Sequence, residues 1–316
     1  MKAVVFPSLL RAANRSISSN EILRVGERDP YTFAVLADPQ PGLLERYVEK
    51  RPKPYRWDRE ISLTEHAIQL LNRVKPKPKF VVVCGDLVDA NAFSEYREAQ
   101  TLSLLNAFSK LDPSIRLVTV PGNHDVGDFP TKETVLDHVQ TWGDDYYSFQ
   151  VNRTKFLVLN SQYMWNDTKC KPFGDKFNEW LDDQLRSLEL RRASLSIVFQ
   201  HIPFFINEPN EPDDYFNLPI RTRLSMLSRL YDAGARYVFT GHLHRNMMTL
   251  WTPSKQSDPN PLHLITTSSV SVPLGPDPPG IRLVQVSDTD TVQHTYWPLD
   301  QLQSLLDNGD QPTFEQ

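Results

Sequence analysis

Five short stretches carry side chains able to bind a metal ion or move a proton. They are Asp38-Pro39-Gln40, Gly85-Asp86-Leu87-Val88-Asp89, Gly122-Asn123-His124-Asp125, the lone His201, and Gly241-His242-Leu243-His244. Each alone has a bland explanation, since a strand-end Asp or Asn is most often a turn former or a helix cap. Five in order along one chain point instead to a shared site. The donors are carboxylates, an amide oxygen and imidazoles, with no paired cysteines. Such a set suits Mn, Fe, Zn or a similar divalent ion, whereas structural zinc favours cysteine and calcium excludes histidine. Asp86 stands between two groups of donors and is able to bridge two ions. Paired ions ~3.5–4 Å apart stabilise both the attacking and the leaving oxygen in phosphoryl hydrolysis.

Apolar runs precede every one of these stretches. Residues 31–37, 80–84, 115–120, 196–200 and 236–240 read as buried strands, with a further strand at 155–160. Helical spacing of Ile61, Ala67, Ile68, Leu71 and Val74 marks a helix between the first two strands. Leu102, Leu105, Phe108 and Leu111 mark a second, Trp180, Leu181, Leu185 and Leu188 a third, and Leu224, Leu227, Leu230 and Tyr231 a fourth. DYYSFQVNRTKFLVLNSQ reads as a hairpin turning at Asn152-Arg153-Thr154, with aromatic packing expected at its start, residues 142–147. Residues 262–297 are strand-rich. The pattern predicts an α/β fold, two stacked mixed β-sheets flanked by helices, in one domain over 31–300. Residues 1–30 read as an N-terminal extension, frayed or loosely docked, and 301–316 as a C-terminal tail. Segments 39–59 and 203–219 are polar loops at strand exits, where α/β proteins keep their sites. Within the second, Asp213-Asp214-Tyr215-Phe216 is a candidate rim, whose acids would repel acidic phosphopeptides.

Bulk properties narrow the partners. The 316-residue chain is 40% hydrophobic and 23% charged, with a formal net charge of −5 and no long Lys/Arg block, so a nucleic-acid or anionic-membrane partner is not indicated. An anionic substrate would then need local positive charge from bound metal. No apolar stretch approaches the ~20 residues that span a bilayer. Two cysteines, Cys84 and Cys170, make no disulfide framework, although their pairing stays open; a reducing, cytoplasmic setting is expected. Lys2, Arg11 and Arg15, with no acid before Glu21, give the N-terminus a faint presequence character. His66, His138, His263 and His294 fall outside the motifs and read as surface or satisfied structural residues.

The ordered set Asp38/Gln40, GDLVD, GNHD, His201 and GHLH resembles the motifs of the calcineurin-like metallophosphoesterases, over about 31–244. LADPQPGL, PKPKFVVVCGDL, TWGDDYYSFQV, FLVLNSQ and IVFQHIP extend that likeness to one cytosolic branch described as protein serine/threonine phosphatases. The resemblance implies two divalent metal ions (Mn, Fe, Zn or Mg). Asp38, Gln40 and His244 would hold the first, Asn123, His201 and His242 the second, with Asp86 bridging. It further implies in-line attack on phosphorus by a hydroxide between the ions, catalytic His124 protonating the leaving oxygen or steadying the phosphoryl charge, Asp125 orienting it, and a phosphoprotein substrate. Three departures stand out. Gln40 replaces the family's usual His, which predicts a loosely held or different first ion. Asp89 stands near the point where purple acid phosphatases carry a tyrosine, so no coloured ferric centre is expected. Ala90-Asn91 and Asp125 differ from the Arg-Gly and Glu of calcineurin-type phosphatases proper. A nucleotide or small-molecule phosphodiesterase or phosphatase, and a metal-poor scaffold, are the alternatives.

Overall fold

In the computed structural model, residues 8–16, 29–191, 195–253, 260–289 and 291–314 are described. All six expected strands form, as β1 (Tyr31–Leu36), β2 (Phe80–Cys84), β3 (Arg116–Val120), β5 (Thr154–Val158), β6 (Ser196–Phe199) and β7 (Ala235–Thr240). The hairpin partner β4 (Tyr147–Val151) pairs antiparallel with β5 around Asn152, whose φ is 50°. One unexpected strand, β8 (Met247–Trp251), precedes the strand-rich end, which resolves into β9 (Leu262–Thr266), β10 (Gly280–Val286) and β11 (Val292–Pro298). One sheet has the order β11-β10-β1-β2-β3 and the other β4-β5-β6-β7-β9-β8. Both are mixed: β1, β2 and β3 run parallel beside antiparallel β10, and β5, β6, β7 and β9 run parallel between antiparallel β4 and β8.

Alternation along each strand builds the layers. Phe33, Val35 and Ala37 point between the sheets with Phe80, Val82, Cys84, Phe156, Phe199 and Phe239. Phe33 stacks on Phe80 at 4.8 Å and meets Phe156 edge-on at 5.7 Å. The intervening Ala34, Leu36, Val81 and Val83 pack outward under α1 (Asp58–Arg73), α2 (Arg97–Phe108) and α8 (Leu299–Asp307). Leu157, Val198, Val238 and Leu264 do the same for the second sheet, under α6 (Lys171–Arg191) and α7 (Ile220–Asp232). Strands that are apolar on both faces are what the continuous hydrophobic runs encode.

Several expectations need correction. Residues 301–307 lie in α8, with Leu302 and Leu306 buried in the outer core of the first sheet, because LDQLQSLLD is amphipathic and has a face to cover. The N-terminal segment is docked where it is described. Leu10 N–H donates to Leu117 O at 3.0 Å, Leu117 N–H donates to Ser8 O at 2.7 Å, and Leu10 enters the inter-sheet core. Arg15 pairs with buried Asp145 at 2.6 Å while lying over the Tyr146 ring. Residues 17–28 and 1–7 of that extension lie outside the described residues. Cys84 and Cys170 are both free, one between the sheets and one in the outer core of the second sheet. Sequence periodicity also passed over α3 (Asn123–Val126), α4 (Lys132–Trp142) and α5 (Ser161–Asn166). Loop 39–59 holds a short π-helix, Leu44–Val48, anchored by the Glu60 carboxylate, which accepts from Gly42 and Leu44 N–H. Among the described residues no helix is long and apolar enough to cross a membrane.

Candidate metal centre

Each motif leaves the end of a strand and turns at once. Asp38, Gln40, Asp86, His242 and His244 all adopt positive φ, at 49°, 36°, 48°, 71° and 51°. Non-glycine residues held there cost on the order of 1–3 kcal/mol each and persist where the surroundings over-determine them. The surroundings here are the other motifs. Asp38 N–H donates to Gly85 O and Gln40 N–H to Asp86 O, both at 3.2 Å. Across the sheets, the Asp38 carboxylate accepts from His242 N–H at 3.0 Å, and His201 Nδ1 donates to Cys84 O at 2.8 Å. Gly85 has φ of +85°, and a Cβ there would lie 2.3 Å from His201 Nδ1; one on Gly122 would lie 2.2 Å from Asp86 Oδ1. The motif glycines are what let the strand ends come this close.

Seven side chains expected as ligands converge. Asn123 Oδ1 at 3.0 Å, His242 Nδ1 at 3.1 Å and Asp86 Oδ1 at 3.4 Å all face His201 Nε2. Asp86, His201 and His242 form a cluster whose ligand atoms lie within 4.8 Å of one another. Three acceptors crowd one position that a single proton serves poorly and a cation serves well. Beside them, His244 Nε2 lies 3.7 Å from Asp38 Oδ1, and Gln40 Oε1 is buried with no hydrogen-bond partner among the described residues. A buried amide oxygen left without a donor costs about 1–3 kcal/mol unless something else fills its lone pairs. The residues therefore fit a metal site on their own chemistry.

Backbone carbonyls fix the imidazoles. His201 donates to Cys84 O, His242 Nε2 to Tyr215 O at 3.0 Å, and His244 Nδ1 to Val272 O at 2.7 Å. Each ring thus has its outer nitrogen tied and its inner one directed at the cluster, the usual arrangement behind metal-binding histidines. Asn123 Nδ2 donates to the Tyr215 hydroxyl at 2.8 Å, which turns Oδ1 inward. Charge is unbalanced. Burial drives the Asp38 carboxyl well above its usual range, partly opposed by His201. For Asp86 burial acts the same way but is outweighed by His201 and His124, leaving it well below. His201 is pushed up to about 9, burial being overcome by Asp86 and Asp38, while burial pushes His242 down to about 3 and His244 to about 4. A proton on His201 stands in for the missing positive charge, and metal binding would release it.

His124 joins the site differently. Its backbone N–H donates to Asp86 Oδ1 at 2.9 Å, and its ring Nδ1 to the Asp89 carbonyl at 2.6 Å. The orienting role expected of Asp125 therefore belongs to Asp89. Asp125 is fully buried beneath the loop; its carboxylate accepts from Gly122 N–H at 2.8 Å and Leu87 N–H at 3.2 Å, and so ties two motifs together. Burial, opposed by Arg97 and aided by Asp86, pushes its carboxyl up to about 6.

Sequence reasoning missed three contributors. Arg46, from the π-helix, holds the Asp89 carboxylate with two N–H groups and lines the cleft. Arg97, at the start of α2, donates to the carbonyls of Ala90, His124 and Asp125. Tyr215 touches two ligands at once, beyond the rim role expected of it. Asp213, by contrast, accepts from Ile220 N–H at the start of α7, and Asp213 and Asp214 line a neighbouring groove rather than the cleft. A signal existed for Arg46 and Arg97, since Arg46 lies six residues after Gln40 and Arg97 eight residues after Asp89. The cleft itself encloses about 390 Å³ between Gln40, Arg46, Tyr47, His124, Tyr215 and Phe216.

Known proteins resemble this chain. A family profile described as "Calcineurin-like phosphoesterase" matches residues 31–246. The chain is 40% identical over 296 residues to the human protein named serine/threonine-protein phosphatase CPPED1, covering 92% of this chain and 91% of that one. It is 41% identical over 275 residues to the rat protein of the same name, covering 86% and 85%. Among solved structures, a dimetal phosphatase from Danio rerio superposes with a TM-score of 0.60 at 17% identity, over 86% of this chain and 97% of that one. Yellow lupin purple acid phosphatase PPD1 gives 0.59 at 12% identity, over 87% and 53%. These two show the same fold. With the profile spanning every motif and the sequence likeness running almost end to end, the chain belongs to the calcineurin-like phosphoesterases, metal-dependent hydrolases of phosphate esters.

Proposed function

We propose that the chain is a phosphomonoesterase that removes phosphate from phosphoserine or phosphothreonine in proteins. The observation that carries the reading is the convergence of seven donors with an orphaned Gln40 oxygen and three acceptors crowded on His201 Nε2. Asp38, Gln40 and His244 would hold one divalent ion, Asn123, His201 and His242 a second, and Asp86 both. When bound, such ions would supply Lewis acidity that activates a water and offsets the charge of the phosphoryl oxygens. The remaining work falls to this chain's own groups. Protonated His124 gives its Nε2 proton to the departing seryl oxygen, while the Asp89 carbonyl holds Nδ1. Arg46, braced by Asp89, adds positive charge at the cleft wall.

Substrate class is supported by the relatives' name, protein phosphatase, at 40% identity over most of both chains. Two free buried cysteines in separate cores agree with a reducing compartment such as the cytoplasm. The test is turnover by purified protein loaded with Mn, Fe, Zn or Mg. A phosphoserine peptide should be hydrolysed faster than a phosphodiester or a nucleoside monophosphate. A diester or nucleotide cleaved faster than the peptide would overturn the substrate class, and no turnover with any of the four ions would overturn the enzyme.

A further inference from the structure

The inter-sheet face changes character at one side of the sandwich. Inward positions of β7, β9 and β8 are Tyr237, His263, Met248 and Leu250, in register with Phe239 and Ile265 of the core. Inward positions of β10 and β11 opposite them are Arg282, Tyr296 and His294, in register with core residues Val284, Val286 and Val292. Where the rest of the interface is aliphatic and aromatic, led by Phe and Val, this end is Arg, two His and two Tyr. A cavity of about 460 Å³ opens between them, within the size range of small-molecule sites.

Arg282 is the anomaly. It is only 6% exposed and has no carboxylate partner among the described residues. Its guanidinium donates to Thr267 Oγ1 at 3.0 Å, His294 Nδ1 at 3.1 Å, Asn246 Oδ1 at 2.8 Å and Thr266 O at 3.4 Å, all neutral groups. Asp277, whose charge acts on Arg282 from beyond ion-pair distance, accepts from Asn246 N–H with one carboxylate oxygen. Burial pushes Arg282 down to about 10, so it stays charged, and burial with Arg282 pushes His294 down to about 4, so it stays neutral. Buried charges are normally paired. Four partners leave one of the five guanidinium N–H groups, on Nη1, free for an anion. Beside it, Tyr237 and His263 stack at 4.7 Å into a flat shelf, and Met248 and Leu250, 59% and 57% exposed, form an apolar lip.

We propose that this cavity is a second ligand site, separate from the metal centre, which takes a small monocarboxylate with a flat apolar body. The carboxylate meets Arg282, and the body lies between the Tyr237–His263 shelf and the Met248–Leu250 lip. One free N–H favours a single carboxylate oxygen over a phosphate, which asks for several donors.

The chain has five methionines, so methyl-labelled methionine gives a local readout, with Met247 and Met248 at this cavity and Met164 and Met226 at another. Titration of the metal-loaded protein with 4-phenylbutyrate should shift the Met247 and Met248 methyls saturably, with Kd on the order of 1 mM or tighter, and leave the other methyls in place. The alcohol 4-phenylbutanol should bind at least about tenfold more weakly, as should the acid to Arg282→Met. Leu250→Trp, an exposed change that leaves the buried network intact, should block the lip and weaken binding similarly. Excess inorganic phosphate should not compete. Equal binding of acid and alcohol, displacement by phosphate, unchanged affinity in Leu250→Trp, or no saturable shift would each overturn the site. None of these outcomes bears on turnover at the metal centre.

Discussion

At His124 one ring nitrogen donates to the Asp89 carbonyl at 2.6 Å, so Nε2 is the nitrogen free to hand a proton to a leaving oxygen. A general acid of this kind contributes about 10²–10⁴-fold, and least where the leaving group needs no proton. His124→Asn should therefore lose about a hundredfold or more on a phosphoserine peptide but less than about tenfold on p-nitrophenyl phosphate, with bound metal unchanged. Equal losses on both substrates, or loss of metal, would remove the acid role. Gln40 allows a second test. Its buried oxygen lacks a donor, and an imidazole nitrogen is the stronger ligand for a borderline ion, so Gln40→His should tighten Mn²⁺ binding by at least about tenfold in a calorimetric titration. An unchanged titration would take Gln40 out of the ligand set. The candidate ligands were legible in the sequence because each stands within four residues of a strand end that the apolar runs reveal. The contacts that Asp125 and Tyr215 make there were not. Asp125 neighbours His124 in sequence yet faces Gly122 and Leu87, and Tyr215 reaches Asn123 from 92 residues away.

Among the elements, α4 shows how a buried polar residue hides a helix. KETVLDHVQTW places His138 between Val135 and Trp142 on the inward face, where it is fully buried and both ring nitrogens lack partners among the described residues. It was expected at the surface or satisfied, because an imidazole breaks the apolar period that marks a core face. Burial pushes it down to about 3, Asp145 opposing and Arg97 adding to the shift. The folded state thus takes up the His138 proton far less readily than the unfolded chain does. Stability from this residue is complete above the unfolded value near 6.5 and is lost as pH falls toward 3. Urea unfolding at pH 7.5 and pH 5 should show wild type losing about 2 kcal/mol more than His138→Met over that interval. Parallel losses would mean the imidazole finds water or a partner. Edge strand β8 escaped notice for a related reason, since MMTLW keeps inward Met248 and Leu250 exposed and so shows no buried run. Central strands, apolar on both faces, were unmistakable.

The proposed metal ligands come from both halves of the whole molecule. Asp38, Gln40, Asp86 and Asn123 follow strands of the first sheet, and His201, His242 and His244 follow strands of the second. Stacked sheets were legible from alternation and from the hairpin at β4–β5, but not how strongly their ends depend on one another. Among the described residues, that junction gathers two buried carboxylates and three imidazoles and leaves an amide oxygen without a hydrogen-bond partner. Ions bound there would act as a clamp between the sheets and stabilise the native state by their occupancy. At a metal concentration ~100-fold above Kd the gain is about 2.7 kcal/mol, which at about 2.1 cal/mol/K of unfolding entropy per residue is a Tm rise of about 4 °C for a chain of this size. Treatment with EDTA should lower Tm by that amount and abolish turnover, with Mn²⁺ restoring both. Asn123→Ala should blunt the shift, because it removes a donor from one side of the clamp. If metal analysis shows the ions gone while Tm stays within about 1 °C, the two sheets hold together without them and the clamp is wrong.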